Sequence, residues 1–380
     1  MKVLLNCSTL IKGGSLQVAS AVFKDAIKDN EINWYFAVTQ SLFSHFKGDL
    51  ESMYEQGKVI ILDTSPARNR KARKFLKNKV LNEQFDAIFT LFGPAYIKFS
   101  VPHLCGIADG WVTHSTKASY NSLRTIKDKI YTYLLCKYKL WWYQKADRWC
   151  VEAPVARNGF LSKTNKDPKS VIVIPNAVNQ LIQQYVNVSL DRKLTEKINV
   201  FCLGADYWHK NYHIIPSLLV KLQKKLPLNV QFLVTLPKDS KVFAYLMSKA
   251  RELGVQDHIV NLGPLKLKEV IEVYKTSHIL FFPSLLETFS ITPLEALYMN
   301  MPMIISRIEA NLNIIGEHAH YVDSQNSEEV AETFLKVIEN YSLEVKKLCT
   351  LKENNYFGSI TTASNRFNLY KNIIKKMVYN

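Results

Sequence analysis

No stretch of the 380-residue sequence approaches the ~18 to 20 uninterrupted apolar residues of a membrane-spanning helix, and Val3–Leu5 is too short for a signal-peptide core. A cytoplasmic protein, soluble or peripheral, is expected. The six cysteines (Cys7, Cys105, Cys136, Cys150, Cys202 and Cys349) include no pair at metal-ligand or redox spacing. They read as reduced core residues and not as a zinc site or a disulfide framework. No aspartate pair has a metal-binding look, and the full dinucleotide fingerprint is missing. Acidic residues are in deficit, 33 against 49 Lys and Arg, for a net charge of +16. Residues 1–180 hold 26 basic and 14 acidic residues and the rest of the chain 23 and 19, so the excess lies in the first half. A basic face attracts nucleic acid, anionic membrane or phosphorylated substrates, and composition does not choose among them. Apolar residues are plentiful at 47%, enough for two cores at the usual ~100 to 200 residues per domain.

Three signals meet in residues 281–300, FFPSLLETFSITPLEALYMN. Ile279–Phe282 is a short apolar run of the kind a buried parallel strand shows, and Pro283-Ser284 ends it. From about Ser290 the pattern turns helical, with Ile291, Leu294, Leu297 and Tyr298 on one face and Pro293 tolerated only in the first turn. Thr288, Phe289 and Ser290 therefore sit near a helix start, where backbone N–H groups and the positive end of the dipole favour a phosphate. Glu287 in the turn and Glu295 in the helix suit hydroxyl groups, since a carboxylate accepts two hydroxyl protons in a fork and repels a diphosphate. That division suggests a nucleotide sugar. An ordinary strand, turn and amphipathic helix with two solvated glutamates has the same pattern. Glu309 and Glu317 repeat the spacing, and Asn311, Asn313 and Gly316 argue against a helix between them.

In the first half, strand Val3–Leu5, the loop Asn6–Ser15 with Gly13-Gly14, and a helix from about Leu16 follow the order of a mononucleotide-type domain; a plain loop is the alternative for the glycines. Trp34–Val38, Val59–Leu62, Ala87–Leu91, Leu104–Ile107 and Val171–Ile174 read as further buried strands alternating with helices, which implies a doubly wound parallel sheet. Ligands bind at the carboxyl ends of such strands, so Phe92-Gly93-Pro94 and Ala108-Asp109-Gly110-Trp111 are the loops of interest. Asp109 is the candidate carboxylate, a turn aspartate the alternative. His103 and His114 read as structural. Arg68–Lys79, RNRKARKFLKNK, has seven basic residues and no acid, and Tyr120–Trp149 interleaves Lys and Arg with Tyr and Trp. Solvated helix and aromatic core are the plain readings; together the two segments fit the headgroup zone of an anionic bilayer.

Asn187–Lys197 reads as the linker into a second domain. Asn199–Leu203 is a strand ending at Gly204, and the loop ADYWHKN carries Lys210, placed to neutralise a diphosphate or simply to sit on the surface. Val230–Thr235, Ile259–Leu262, Ile279–Phe282, Met303–Ser306 and Tyr321-Val322 are its other strands. Ser364–Met377 is a closing helix.

The order of these pieces resembles the family-four, retaining nucleotide-sugar glycosyltransferases of GT-B architecture: Gly13-Gly14 after the first strand, Ile174–Val178, Gly204 through Lys210-Asn211, Asn261-Leu262-Gly263, then FFPSLLETFSITPLEAL. The similarity is firm over about residues 170 to 340. It implies an α/β fold of two Rossmann-like doubly wound domains facing across a cleft: residues 1–185 binding the acceptor, with helix 360–380 crossing back onto them, and residues 195–358 binding the donor. By resemblance Glu295 grips the ribose hydroxyls, Glu287 the donor sugar hydroxyls, the amides of Phe289 and Ser290 the phosphates, and Lys210 the leaving diphosphate. Gly13, Gly14 and Gly204 line the ligand loops. Three positions depart from the family pattern: Ala205-Asp206 replaces a usual arginine, Thr288-Phe289-Ser290 a Gly-Phe-Gly, and Ala108-Asp109 a His-Asp.

The expected reaction is sugar transfer from a nucleoside diphosphate sugar to a hydroxyl acceptor with retention, without metal or cofactor. A saccharide or lipid-linked saccharide acceptor at the inner face of a bacterial membrane is expected, as in lipopolysaccharide, O-antigen or capsule-type synthesis. The alternatives are a nucleotide-sugar epimerase of the same fold and, from charge alone, a nucleic-acid-binding protein; the ordered motifs argue against nucleic acid as a partner.

Overall fold

In the computed structural model the described residues are 1–10, 14–187, 192–226, 229–353 and 362–379. They divide into two compact units, one of Met1–His114, Lys127–Ala177 and Thr361–Asn380, the other of Ser115–Ile126 and Val178–Ile360. The boundary thus falls at Ala177, not near residue 185, and a short segment from the first half belongs with the second unit. Residues 188–191 of the expected linker lie outside the described residues, as do Gly13 and residues 354–361.

The first unit holds a seven-stranded sheet: β1 (Lys2–Asn6), β2 (Asn33–Thr39), β3 (Val59–Leu62), β4 (Ala87–Thr90), β5 (His103–Ile107), β6 (Arg148–Val151) and β7 (Val171–Val173). The order is β3-β2-β1-β4-β5-β6-β7, and the pairs are parallel. β4 and β5 are buried throughout, as apolar runs covered on both faces must be. β6 corrects the reading of Tyr120–Trp149 as one basic aromatic stretch. Trp149 is fully buried within this strand, its indole Nε1 donating 2.8 Å to the carbonyl of Tyr143.

The helix Ala363–Tyr379, from the far end of the sequence, completes this unit's core. Phe367, Tyr370, Ile373 and Ile374 pack among side chains of β1, β2, β4 and the helix Gly14–Lys28. Tyr370 lies 4.7 Å from the Phe89 ring. A buried ion pair, Lys371 Nζ to Asp29 Oδ1 at 2.6 Å, pins the helix, and Trp34 Nε1 donates to the other Asp29 oxygen at 2.9 Å.

The second unit repeats the plan with six strands, β8 (Lys197–Cys202), β9 (Asn229–Val234), β10 (Ile259–Asn261), β11 (Ile279–Phe282), β12 (Met303–Ser306) and β13 (His320–Val322), in the order β10-β9-β8-β11-β12-β13. All its pairs are parallel. Two apolar clusters cover its faces, one centred on Phe232, Phe281 and Phe334, the other on Leu280, Phe282 and Leu297. In each sheet the order reverses once, between β1 and β4 and between β8 and β11. The loops leaving those strands flank the crevice where such folds bind ligands.

A second correction concerns Glu309–Ile315, which is helical despite Asn311 and Asn313. Asn311 is buried; its amide donates to the Ser306 carbonyl at 2.8 Å and accepts from the Ser290 hydroxyl, so tertiary bonds outweigh low propensity. Gly316 ends the helix at φ +58°.

Candidate active site

Lys210 and Glu287 stand on the two loops that flank the β8/β11 reversal, and their side chains meet. Lys210 Nζ lies 2.5 Å from Glu287 Oε1, with the side chains only 15% and 12% exposed. The two loops are stitched at their bases. Leu285 N donates to the His209 carbonyl at 2.7 Å, and Ser284 Oγ lies 3.4 Å from the same oxygen. A 3₁₀ turn, Trp208–Lys210, presents the lysine and stops at Asn211, whose left-handed backbone (φ +59°) is held by its side-chain amide donating 2.7 Å to the Ser324 carbonyl. Gly204 is required at the mouth of β8, where a Cβ would meet Tyr212 Oη at 2.6 Å.

Nothing in the first part of this loop replaces the absent arginine, for Ala205 and Asp206 bring no cation. His209 does not replace it either. Desolvation and the neighbouring Lys210 charge hold its pKa down to about 3, so the ring is neutral.

The helix after β11 is Ile291–Tyr298, with Pro293 in its first turn and Ser290 as N-cap residue. Ser290 makes no side-chain capping bond to the first-turn N–H groups; its hydroxyl donates to Asn311. Phe289 is partly exposed and Ser290 buried at this helix start. Glu295, expected as a carboxylate, is 4% exposed, and burial pushes its pKa up to about 8. Tyr274 Oη lies 3.2 Å from both Glu295 Oε2 and the Thr292 carbonyl. One phenolic proton cannot serve both; with Glu295 protonated, the chain of bonds runs from its carboxyl to Tyr274 and on to the carbonyl.

In the first unit Asp109 follows β5. One carboxylate oxygen accepts from Val112 N at 3.3 Å, and the other lies 2.8 Å from Lys139 Nζ, on the helix Ile126–Tyr143. It is both a turn aspartate and half of an ion pair. Gly14 is the first residue of its helix and a Cβ there would meet nothing within 4 Å, so close packing does not require this glycine. Phe92 and Gly93 serve the fold, their carbonyls accepting from Thr9 Oγ1 at 2.9 Å and Tyr143 Oη at 2.5 Å. His103 is buried, bonded to Thr90 Oγ1 at 2.8 Å and held neutral by desolvation, as a structural histidine. Sequence reasoning missed Lys139, Tyr274 and Arg192. The last is buried and donates to the carbonyls of Tyr274, Ser277 and Met299, closing the floor beneath the site's helix.

The loop, lysine, turn glutamate and helix of the second unit lie within a stretch that matches a known family. Residues 190–356 match the model of glycosyl transferases group 1. Over these residues, less than half of the chain, the sequence is similar to that family. The O-antigen chain mannosyltransferase RfbU of Salmonella typhimurium is 26% identical over 198 residues, covering 52% of this chain and 51% of that protein. The chain spans about half the length of the curated relatives it matches, or less. A glycosyltransferase from Rickettsia africae superposes with a TM-score of 0.74 at 13% identity, covering 100% of this chain and 99% of that one. Anabaena Alr3699/HepE in complex with UDP gives 0.71 at 10% identity, covering 99% and 100%. At such identities the likeness is one of fold, two parallel-sheet α/β units of the GT-B class.

Proposed function

We infer that the chain is a retaining glycosyltransferase using a nucleoside diphosphate sugar. The carrying observation is the convergence of Lys210 and Glu287 at the chain reversal of the second unit, beside the start of the helix that bears Glu295. In this reading the bond from the anomeric carbon to the diphosphate breaks first, and positive charge grows on the sugar. Lys210 and the amides at Phe289 and Ser290 stabilise the departing negative charge, where preorganised electrostatics are worth most. The acceptor oxygen attacks from the face the diphosphate leaves, and its proton passes to the leaving phosphate. Glu287 engages sugar hydroxyls and Glu295 the ribose, and Asp109, paired with Lys139, is the first unit's candidate carboxylate for the acceptor. No metal or cofactor enters this scheme.

A lipid-linked saccharide at an anionic membrane face, in lipopolysaccharide or O-antigen type synthesis, is the acceptor that the surface of the first unit supports. Among the described residues no helix is long and apolar enough to cross a membrane. The helix Ile126–Tyr143 nevertheless buries only Leu140 and Tyr143 and exposes Ile130, Tyr131, Tyr133, Leu134 and Trp141 among lysines. The basic helix Arg70–Glu83 lies beside it. Arg73 sits 5.3 Å from the rings of Tyr96 and Trp142 and donates to Tyr138 Oη at 3.1 Å. Arg70, Lys71, Lys74 and Lys77 point outward. Aromatic rings interleaved with cations suit a headgroup layer.

A thermal-shift screen of UDP, GDP, ADP and their sugars tests the donor reading, since a ligand of the folded state raises its Tm. Stabilisation by one nucleoside diphosphate and its sugar is expected. No response to any of them refutes the reading.

A further inference from the structure

By the resemblance, Glu287 engages the donor sugar hydroxyls, which alone predicts little effect of its removal on the affinity for a bare nucleotide. The ion pair changes that expectation. Resting on the donor-site reading above, we propose that Glu287 is the resident counterion of the site: it holds Lys210 until a diphosphate takes its place, and returns to Lys210 as the nucleotide leaves.

The geometry carries this in three steps. First, the 2.5 Å contact between two largely buried side chains means that the Lys210 ammonium is already paired with an anion. Its ammonium is also seated 4.9 Å from the Phe282 ring centroid, which limits where it can turn. Second, the loop bases are bonded through the His209 carbonyl, so the exchange is a rotation of the Glu287 side chain and not a parting of loops. Third, the loop offers no other cation within its sequence, because Ala205 and Asp206 have none and His209 is neutral. An ammonium has three donors and could touch carboxylate and phosphate at once, but two anions crowded on one cation repel each other. Exchange resolves the conflict. The displaced carboxylate then turns to the sugar hydroxyls, so one residue serves both as a barrier to bare nucleotide and as a grip on the intact donor. When the sugar has left, the grip is lost and the carboxylate competes for Lys210 again, which favours nucleotide release.

The test is calorimetric binding of UDP, GDP and ADP to the full chain. Glu287→Gln is expected to tighten the binding nucleotide about tenfold, the scale of one hydrogen bond to a charged group, while lowering turnover of the nucleotide sugar. A merely structural glutamate does not move these two readouts in opposite directions. Glu287→Asp, one methylene shorter, is expected to give a smaller gain of the same sign and serves if the first variant fails to fold. In a Lys210→Met background the gain from Glu287→Gln is expected to fall below about twofold, because the freed group is gone. Unchanged or weaker binding in both Glu287 variants overturns the proposal. So does a gain that persists undiminished without Lys210, which would mark direct repulsion. If wild type and variants alike bind none of the three nucleotides, the donor-site reading falls with it.

Discussion

Replacing Glu295 by glutamine should make the protein more stable and a poorer nucleotide binder, with a stability gain that depends on pH in a defined way. The carboxyl is buried on the helix Ile291–Tyr298, and its pKa is raised from 4.5 to about 8. Below pH 4.5 the folded and unfolded states are both protonated and the group contributes no difference. Between pH 4.5 and 8 the unfolded chain ionises while the folded one keeps its proton, so wild-type stability falls by about 1.4 kcal/mol per pH unit. The deficit reaches about 3 kcal/mol at pH 7 and levels off above pH 8. Glutamine has no such ionisation, and its amide can donate to Tyr274 Oη as the protonated carboxyl does. Urea unfolding of both proteins at pH 5, 6, 7 and 8 measures the difference, in which contributions from all other groups cancel. Glu295→Gln should be more stable than wild type by less than about 1 kcal/mol at pH 5 and by about 3 kcal/mol at pH 7, while UDP or GDP affinity falls. Such opposition is expected where a functional carboxyl is kept in an unfavourable place. A difference that does not grow with pH, or a variant less stable than wild type at pH 8, refutes the reasoning.

Lys210→Ala should lower kcat by about 10²-fold or more at saturating donor, the scale of one lost charge-stabilising group, with a smaller change in donor KM; near-normal kcat would reduce its role to that of a structural partner of Glu287. The protein should sediment with anionic vesicles at low salt and be released at high salt. Changing Arg70, Lys71, Lys74 and Lys77 to Ser should abolish this binding, whereas equal binding to neutral vesicles would count against the surface described. Lys371→Met leaves Asp29 buried without its ammonium and should destabilise the first unit by about 3 kcal/mol, read by urea unfolding, with part of the loss recovered by adding Asp29→Asn.

Strands were legible because a parallel strand covered on both faces must be apolar along its length, and Ile279–Phe282 and Met303–Ser306 agree with the structure residue for residue. The helix after β11 was legible from its periodicity and from the one place that tolerates Pro293. β6 was hidden because its four residues follow a helix whose aromatic residues are largely exposed, and only burial separates Trp149 from Trp141. The helix Glu309–Ile315 was hidden because its stability comes from Asn311 bonding to Ser290 and Ser306, a tertiary fact. The same limit applies to the site. Glu287 and Lys210 were each visible as candidates for a ligand, yet 77 residues separate them and no spacing announces that they hold each other. Lys139 lay unnoticed among many lysines for the same reason.

The helix Ala363–Tyr379 bears on the order in which the protein can be made. At roughly 5 to 20 residues per second of synthesis, the ribosome reaches this helix about 10 to 40 seconds after the last strand of the first sheet. Through that interval the groove later filled by Phe367, Tyr370, Ile373 and Ile374 has no cover, and Asp29 has no Lys371. The second unit, made later, can reach its native state earlier. Until the helix Ala363–Tyr379 is made, the first unit keeps that groove exposed, whereas the residues of the second unit's core have all been synthesised.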